Sequence, residues 1–445
     1  MSQDQYHHYI PRFILRNFAN DKYERIFVSD KKLFNKKRKK ILLSKKKSER
    51  LQTYDRSNDQ LGISLIAKTY GFKNLYKDLN HDDTMRVENK LSKLENEASN
   101  VVRDIITASQ QDKSHIVLLR KNLANLRKFL FIMNYRKTSR KDQFLKEEFD
   151  IPTLLELKNF MKQNNIQNSQ EVWLQNIDEI LDTPHQDVKN NEQIFSADRM
   201  DYKRYANDYF LAIWQAGEND EFIITSNTFG LFEGVIVDKI FLDGRFQKVS
   251  KAFHYFYVIS PKLVLVLCDW GFRDGIGFEY LDNLFGFKHR SFFENVSHPK
   301  PIPDYVNKMD PSQLNIRLDS KFNRLPNIVR HDDDKFTFQF GKINSATVNL
   351  VNYIILNEAE SDINVSFCSL LYLYKTIIKY YKNYKDIFNY AENTDGITCK
   401  SPQDFSNLKK TLFMTLNKTH EEDLNLRKNI LSSSIDWNLF KFDTK

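Results

Sequence analysis

The amino-acid sequence predicts an α+β fold, predominantly helical, and three observations carry that expectation. Apolar residues recur at helical spacing over residues 86–136, give way to short apolar runs of strand character between 221 and 268, and return to helical spacing after 345. This order disfavours a doubly wound parallel sheet. It leaves an antiparallel helix pair near the N-terminus, a central mostly antiparallel sheet and a helical C-terminal third. With only 12 Gly and 10 Pro in 445 residues, long regular elements are expected, and 41% hydrophobic with 13% aromatic residues suffice for a core.

Residues 1–140 open with a short helix in which Ile10, Phe13, Ile14 and Phe18 share one face; Pro11 sits at a first-turn position, where its missing N–H costs nothing. A strand is expected at Arg25–Ser29, followed by the basic segment 31–50. Arg86 to Ala108 reads as an amphipathic helix with Val87, Leu91, Leu94, Ala98, Val101, Val102 and Ile105 facing inward. Ile116 to Arg136 reads as a second, through Ile116, Leu119, Leu123, Leu126, Leu130 and Met133. The short polar connection favours packing the two as an antiparallel pair.

Residues 141–200 are rich in Lys, Asn, Gln and Asp around one apolar helical stretch, Ile151 to Leu181, and read as a polar helical insertion. In the β-rich part, 201–300, strands are expected at Phe222–Thr225, Val235–Val237 and Tyr255–Cys268, with Gly230, Gly234 and Gly244 at turns. Residues 301–445 supply an extended crossover and the C-terminal helices. The crossover stretch, 297–335, carries Pro299, Pro301, Pro303, Pro311 and Pro326; the helices are expected at Ser345–Ala359, Val365–Ala391 and Asp404–Thr415.

The net charge, 67 − 58 = +9, is concentrated in one place. Residues 31–50 hold eleven Lys/Arg and one Glu, about +10, which leaves the rest of the chain near −1. The core of that segment, Lys36, Lys37, Arg38, Lys39 and Lys40, has three readings. It can neutralise nucleic-acid phosphates, address the chain to the nucleus, or form a solvated loop. The polar opening Met1–Tyr9 lacks a signal peptide's apolar stretch. The apolar run Tyr255–Trp270 is broken by Pro261 and Lys262, so no membrane span is expected. Cys268, Cys368 and Cys399 form no CxxC pair and have no His nearby at ligand spacing. A disulfide framework and a structural zinc site are therefore not expected, and the compartment is read as intracellular, cytoplasmic or nuclear.

The familiar nucleotide, metalloprotease, hydrolase and EF-hand motifs are absent. Chemistry is left to a smaller set. His7 and His8, just before the first helix, offer imidazoles that act as general base or ligand, or that merely bond a nearby backbone group. Glu88 and Glu95 lie seven residues apart, within about 20° of each other around a helix, at the margin of its apolar face. Two carboxylates there have the chemistry to hold a divalent cation, or to pair with a cation from a neighbouring helix, for which Arg136 is the natural partner. A run of Tyr372, Tyr374, Tyr380, Tyr381, Tyr384 and Tyr390 interleaved with Lys375, Lys379, Lys382 and Lys385 reads either as a single-strand stacking platform or as a helix whose lysines snorkel outward.

The string Tyr6-His7-His8-Tyr9-Ile10-Pro11-Arg12-Phe13-Ile14-Leu15-Arg16-Asn17-Phe18 resembles the opening signature of the DUF4238 family, a domain of unknown function. Glu88 to Glu95, Asn134 to Thr138, Glu221 to Asn227 and Ile259-Ser260-Pro261 are similar to later family segments. The resemblance implies a fold shared with bacterial and fungal relatives and no established activity. It groups His8, Arg16, Glu88, Glu95, Arg136 and Asn227 for joint attention. The sequence departs from relatives at Asn227, where they often carry Asp, and at Phe229, where they often carry Pro. The chain beyond about residue 300 is similar to fungal members. Two functions are expected: a nucleic-acid-associated protein with a nuclease-like or degenerate hydrolase site at His8, Glu88, Glu95 and Arg136, or a non-catalytic interaction protein.

Overall fold

The computed structural model describes residues 6–19, 49–55, 60–73, 75–76, 85–225, 228–240, 246–272, 291–306, 330–357 and 364–380, together with 409, 410 and 414. Lys36 to Lys40, the Arg25–Ser29 strand, Asn227, Gly244, Pro311, Pro326 and residues 381–391 lie outside that set, as does most of 404–415.

The chain begins with β1 (Tyr6–His8), α1 (Arg12–Leu15) and a 3-10 turn, Arg16–Phe18. Ile10, Ile14 and Phe18 are buried as the pattern requires. Phe13 is not: it is only partly buried, its ring 5.7 Å from that of Phe129, while Leu15 is fully enclosed. The buried residues Pro11, Ile14, Leu15 and Phe18 form an i, i+3, i+4, i+7 stripe, so the inward face is centred on the Leu15 side of the one expected and Phe13 falls at its margin.

Strands β2 (Arg50–Asp55), β3 (Gln60–Leu65) and β4 (Gly71–Lys73) follow, β4 pairing antiparallel with β1. Gly71 stands where a Cβ would lie 2.5 Å from the His7 carbonyl oxygen, so only glycine permits this close approach. The long helix α2 (Arg86–Gln110) buries all seven residues assigned to its inner face. The second helix is shorter than its periodicity suggests. His115–Leu119 is strand β5, and α3 runs only over Arg120–Tyr135. The apolar residues of β5 satisfy helical and strand spacing alike, and its partner strand is far away in sequence. α2 and α3 pack together.

The polar stretch 141–200 overlaps α4 (Thr138–Leu145), α5 (Ile151–Gln163), α6 (Ser169–Asp182) and the start of α7 (Ser196–Asn207). Its Leu157, Trp173, Ile177, Ile180 and Phe195 belong to the same buried cluster as α2 and α3. A buried polar knot fastens it: Asn176 and the Tyr135 hydroxyl both donate to Asp198, which also holds Arg140.

The main sheet is mixed. It contains β6 (Tyr209–Ala216), β7 (Phe229–Ile240), β8 (Phe246–Ser260), β9 (Leu263–Asp269), β10 (Ile302–Asp304) and β11 (Lys335–Ile343), in the order β10-β11-β6-β9-β8-β7, with β5 also on β11. The β11–β6 pair is parallel and the others antiparallel. Several expectations change here. Tyr255–Cys268 is not one strand but the β8–β9 hairpin turning at Pro261-Lys262. Phe222–Thr225 supplies only an isolated bridge, Ile224 to Ser366. Gly230 and Gly234 are not turns; both sit in β7 at its irregularities, Gly230 with φ +68° and with Asn134 too close for a Cβ.

Beyond the sheet, α8 (Ser345–Asn357) agrees with its periodicity. Val365 does not begin a helix. Asn364–Phe367 is β12, antiparallel to β2 in a small sheet with β3, and the helix α9 covers residues 370–380. The class is therefore α+β, with long strands sharing the load; among the described residues the strands of the C-terminal part, β11 and β12, reduce the helical predominance that periodicity implied.

Candidate functional site

The opening string is pinned in place by Tyr70, whose backbone lies in the left-handed region at φ +58°. That costs about 1 kcal/mol for a non-glycine residue. The Tyr70 carbonyl accepts from the Tyr9 amide at 3.0 Å, and its buried hydroxyl reaches Ser366 Oγ at 2.8 Å and the Asn364 carbonyl at 3.0 Å. These bonds tie the N-terminal string to β12 and offset the strain.

Behind that string, Arg136 caps the C-terminus of α3 with 1% of its side chain exposed. Its Nη2 donates to Glu95 at 2.8 Å and to the Tyr9 carbonyl at 3.3 Å. The guanidinium also lies 5.7 Å from the Tyr76 ring, which in turn stacks on His7 at 5.5 Å. Burial alone would weaken the guanidinium's hold on its proton, but Tyr76, Glu95 and Glu88 outweigh it, so Arg136 stays a cation.

The carboxyls respond the other way. Burial raises Glu88 above the ordinary carboxyl range, and Arg136 only partly opposes it. Burial likewise raises Glu95 despite its ion pair with Arg136. Both carboxyls come from one face of α2, as their seven-residue spacing requires.

The two imidazoles divide their roles. His7 is buried, and its Nδ1 accepts the Tyr76 amide at 3.1 Å, which fixes the ring as a structural acceptor. His8 donates from Nε2 to the Ile66 carbonyl at 2.9 Å, leaving Nδ1 as its basic nitrogen. Burial lowers both imidazoles, for His7 with Arg136 adding to it; for His8 the bond to Ile66 opposes it, and Arg12, Arg136 and His7 reinforce it. His8, Glu88 and Glu95 thus all feel the field of Arg136. Arg16 is turned elsewhere: with Arg12 it holds Glu49, at 2.8 and 3.0 Å. Asn227 is outside the described residues.

A cleft of about 640 Å³ opens beside this cluster, between β4, Leu75 and α4, with Lys73, Lys141 and Lys146 among its walls and Asp142 and Glu148 opposing them. None of His8, Glu88, Glu95 and Arg136 lines it.

Sequence spacing missed a second cluster, His254, Cys268 and His298, whose ligand atoms all lie within 4.8 Å of one another. A signal existed. Reading Pro261 as a hairpin turn places His254 directly opposite Cys268, which is the observed register of β8 and β9. Among the described residues no helix is long and apolar enough to cross a membrane.

The fold and the site thus define an α+β protein with a mixed sheet and a His–Glu–Arg cluster packed behind its opening string. The chain belongs to the family described as protein of unknown function (DUF4238), whose model matches residues 6–366, from the first residue of β1 to the third of β12. No curated protein and no solved structure matches it significantly.

Proposed function

We propose that the chain is an intracellular, nucleic-acid-associated hydrolase in which His8 is the general base, Glu88 the general acid, and Glu95 with Arg136 the pair that positions them. The observation that carries this reading is a pair of opposed directions beside one guanidinium: burial lowers the His8 imidazole, favouring its neutral form, and raises the Glu88 carboxyl, favouring its protonated form, with Arg136 only partly opposing the second. Those are the directions in which a general base and a general acid are displaced for acid–base hydrolysis. His8 Nδ1 would take the proton of the attacking hydroxyl or water, and Glu88 would give its proton to the leaving oxygen; exchange with solvent restores both.

A polyanionic substrate is supported by where the basic segment is rooted. Residues 20–48 leave from Ala19 and return at Glu49, and Glu49 is bonded to Arg12 and Arg16 beside His8. The adjoining cleft carries Lys73, Lys141 and Lys146 against Asp142 and Glu148, a small excess of positive charge. A second reading, a non-catalytic interaction protein, is favoured by the near-complete burial of Arg136 and by the separation of the cluster from the cleft lining.

Labelled RNA and DNA incubated with the full chain, with and without Mg²⁺ or Mn²⁺, test the proposal; the two ions cover the case in which Glu88 and Glu95 hold a divalent cation. Cleavage is expected, falling about 10²–10⁴-fold in His8→Gln and in Glu88→Gln. A folded chain that cleaves neither polymer under any of these conditions is an interaction protein.

A further inference from the structure

The β8–β9 hairpin places His254 opposite Cys268, and the segment after residue 291 brings His298 against them. His254 and Cys268 are fully buried; His298 is half-buried and forms the solvent side of the group. Rings surround it: Trp214 lies 5.8 Å from His254 and 5.5 Å from His298, and Phe272 is 4.5 and 4.3 Å from the same two.

The hydrogen bonds fix the tautomers. His254 Nδ1 faces Glu233 Oε2 at 2.9 Å, and Ser291 Oγ and the Phe292 amide donate to the same carboxylate, each at 3.0 Å. Ser291 Oγ also approaches His254 Nδ1 at 3.4 Å. A carboxylate accepts only, so His254 Nδ1 carries the proton. His298 is hydrogen-bonded to the Val296 backbone, and since its Nε2 faces His254, Nδ1 is the nitrogen left to donate to that carbonyl. In the neutral rings both Nε2 atoms are therefore bare lone pairs, and they face each other at 2.8 Å. Two lone pairs at that distance repel unless one cation serves both.

We propose that His254 Nε2, His298 Nε2 and Cys268 Sγ form a zinc-binding site, with Glu233 and the Val296 carbonyl orienting the two imidazoles. Carboxylate and backbone partners behind ligating histidines are what such sites use to set tautomer and ring angle. Two imidazoles and a thiolate suit Zn²⁺ in preference to hard cations, and three protein ligands leave its fourth position open. Charge closes as well. The cysteine thiol loses its proton to solvent on binding, so Zn²⁺, one thiolate and the Glu233 carboxylate sum to zero inside a buried, aromatic surround. Tetrahedral zinc sets its nitrogens about 3.3 Å apart and sulfur about 3.6 Å from each. The imidazoles would part by roughly half an ångström and the sulfur would draw in, both within reach of side-chain rotation.

The probe is the metal alone. The full chain is stripped with chelator, dialysed and titrated with Co²⁺, followed by its thiolate-to-cobalt charge-transfer absorption, then competed with Zn²⁺. One equivalent with that band, displaced by zinc, is expected. Cys268→Ser should lose the band, and His298→Ala should weaken binding by at least about tenfold. Glu233→Gln should weaken binding about 10–100-fold while keeping the band, because it removes an orienting partner and no ligand. Far-UV circular dichroism checks each variant; should Cys268→Ser not fold, His298→Ala carries the test from the half-buried side. A wild-type chain that shows no saturable band overturns the proposal, and the imidazole pair then shares a proton. A band that survives Cys268→Ser overturns it too, since the thiolate would belong to another cysteine.

Discussion

Around Arg136, two carboxyls and two imidazoles sit against a cation that the protein itself supplies. Around His254, the sheet gathers two imidazoles, a thiol and a carboxylate, with no lysine or arginine bonded to them among the described residues. The first cluster is compensated internally, so what remains free to change is the placement of protons. The second is a set of electron-pair donors without a built-in counterpart, so what it lacks is a Lewis acid. Burial is similar in both; the sign of the nearest fixed charge separates proton chemistry from metal chemistry. Their scaffolds differ in the same way. The Arg136 cluster is assembled from a strand, a loop and two helices, whereas two of the three ligand atoms at His254 come from facing positions of one hairpin.

The largest expected effect tests the internal compensation. Glu95→Ala leaves a buried guanidinium that cannot shed its proton, and it should cost about 3–5 kcal/mol in a denaturant titration near neutral pH. Arg136→Met should cost less, because Glu88 and Glu95 are already displaced toward their neutral forms and can simply hold their protons. The reverse order would show that the carboxyls, not the guanidinium, are the uncompensated charges, and the contrast between the clusters would fail.

How much of this was legible in the sequence depended on where the partner of each segment lies. The apolar face of α2 could be read in full because a helix buries residues against its own period. Glu88 and Glu95 followed from the same period, and their link to Arg136 needed only the next helix. β5 was hidden because its pairing is with β11, far beyond any local window, and β12 because its partner is β2. β6 is apolar along almost its whole length, the mark of a strand covered on both faces, and gives no alternation to detect. The His254 cluster joined a hairpin register to a residue thirty positions onward, His298, and no spacing rule for metal motifs covers that combination.

Second in size is Glu233→Ala. It removes the acceptor shared by His254 Nδ1, Ser291 Oγ and the Phe292 amide, and should cost about 1–3 kcal/mol for the buried donors left unpaired. Thermal unfolding of metal-free protein measures it. If the loss reached that of Glu95→Ala, the sheet cluster would be carrying a buried imidazolium, and the distinction between the two sites would narrow.

A smaller effect separates the clusters by pH. Glu88 and Glu95 have folded values raised above the ordinary carboxyl range, so their contribution to stability is full at acid pH and is lost as pH rises through those raised values. His7 and His8 are lowered; their contribution is full above about 6.5 and lost as pH falls through the lowered values. Glu88→Gln removes one acid-side contribution. Its melting temperature relative to wild type should therefore rise with increasing pH above the carboxyl range, and a difference independent of pH would place Glu88 in open water.

The smallest effect belongs to neither cluster and serves as the reference for both. Lys36, Lys37, Arg38, Lys39 and Lys40 account for half of the excess charge of residues 31–50, on a segment rooted at Arg12, Arg16 and Glu49. Replacing the five with Ser or Gln should shift stability by less than about 0.5 kcal/mol, as surface changes usually do. If the segment delivers nucleic acid to His8, wild-type binding should weaken with salt at a log–log slope of about −0.9 per phosphate neutralised on duplex DNA, and the variant should flatten that slope. Cleavage per bound substrate should then be unchanged, because His8 and Glu88 are untouched. A variant that kept the slope would move the nucleic-acid contact to the lysines of the cleft beside α4, and one that lost cleavage at saturating substrate would make the segment part of the Arg136 site itself.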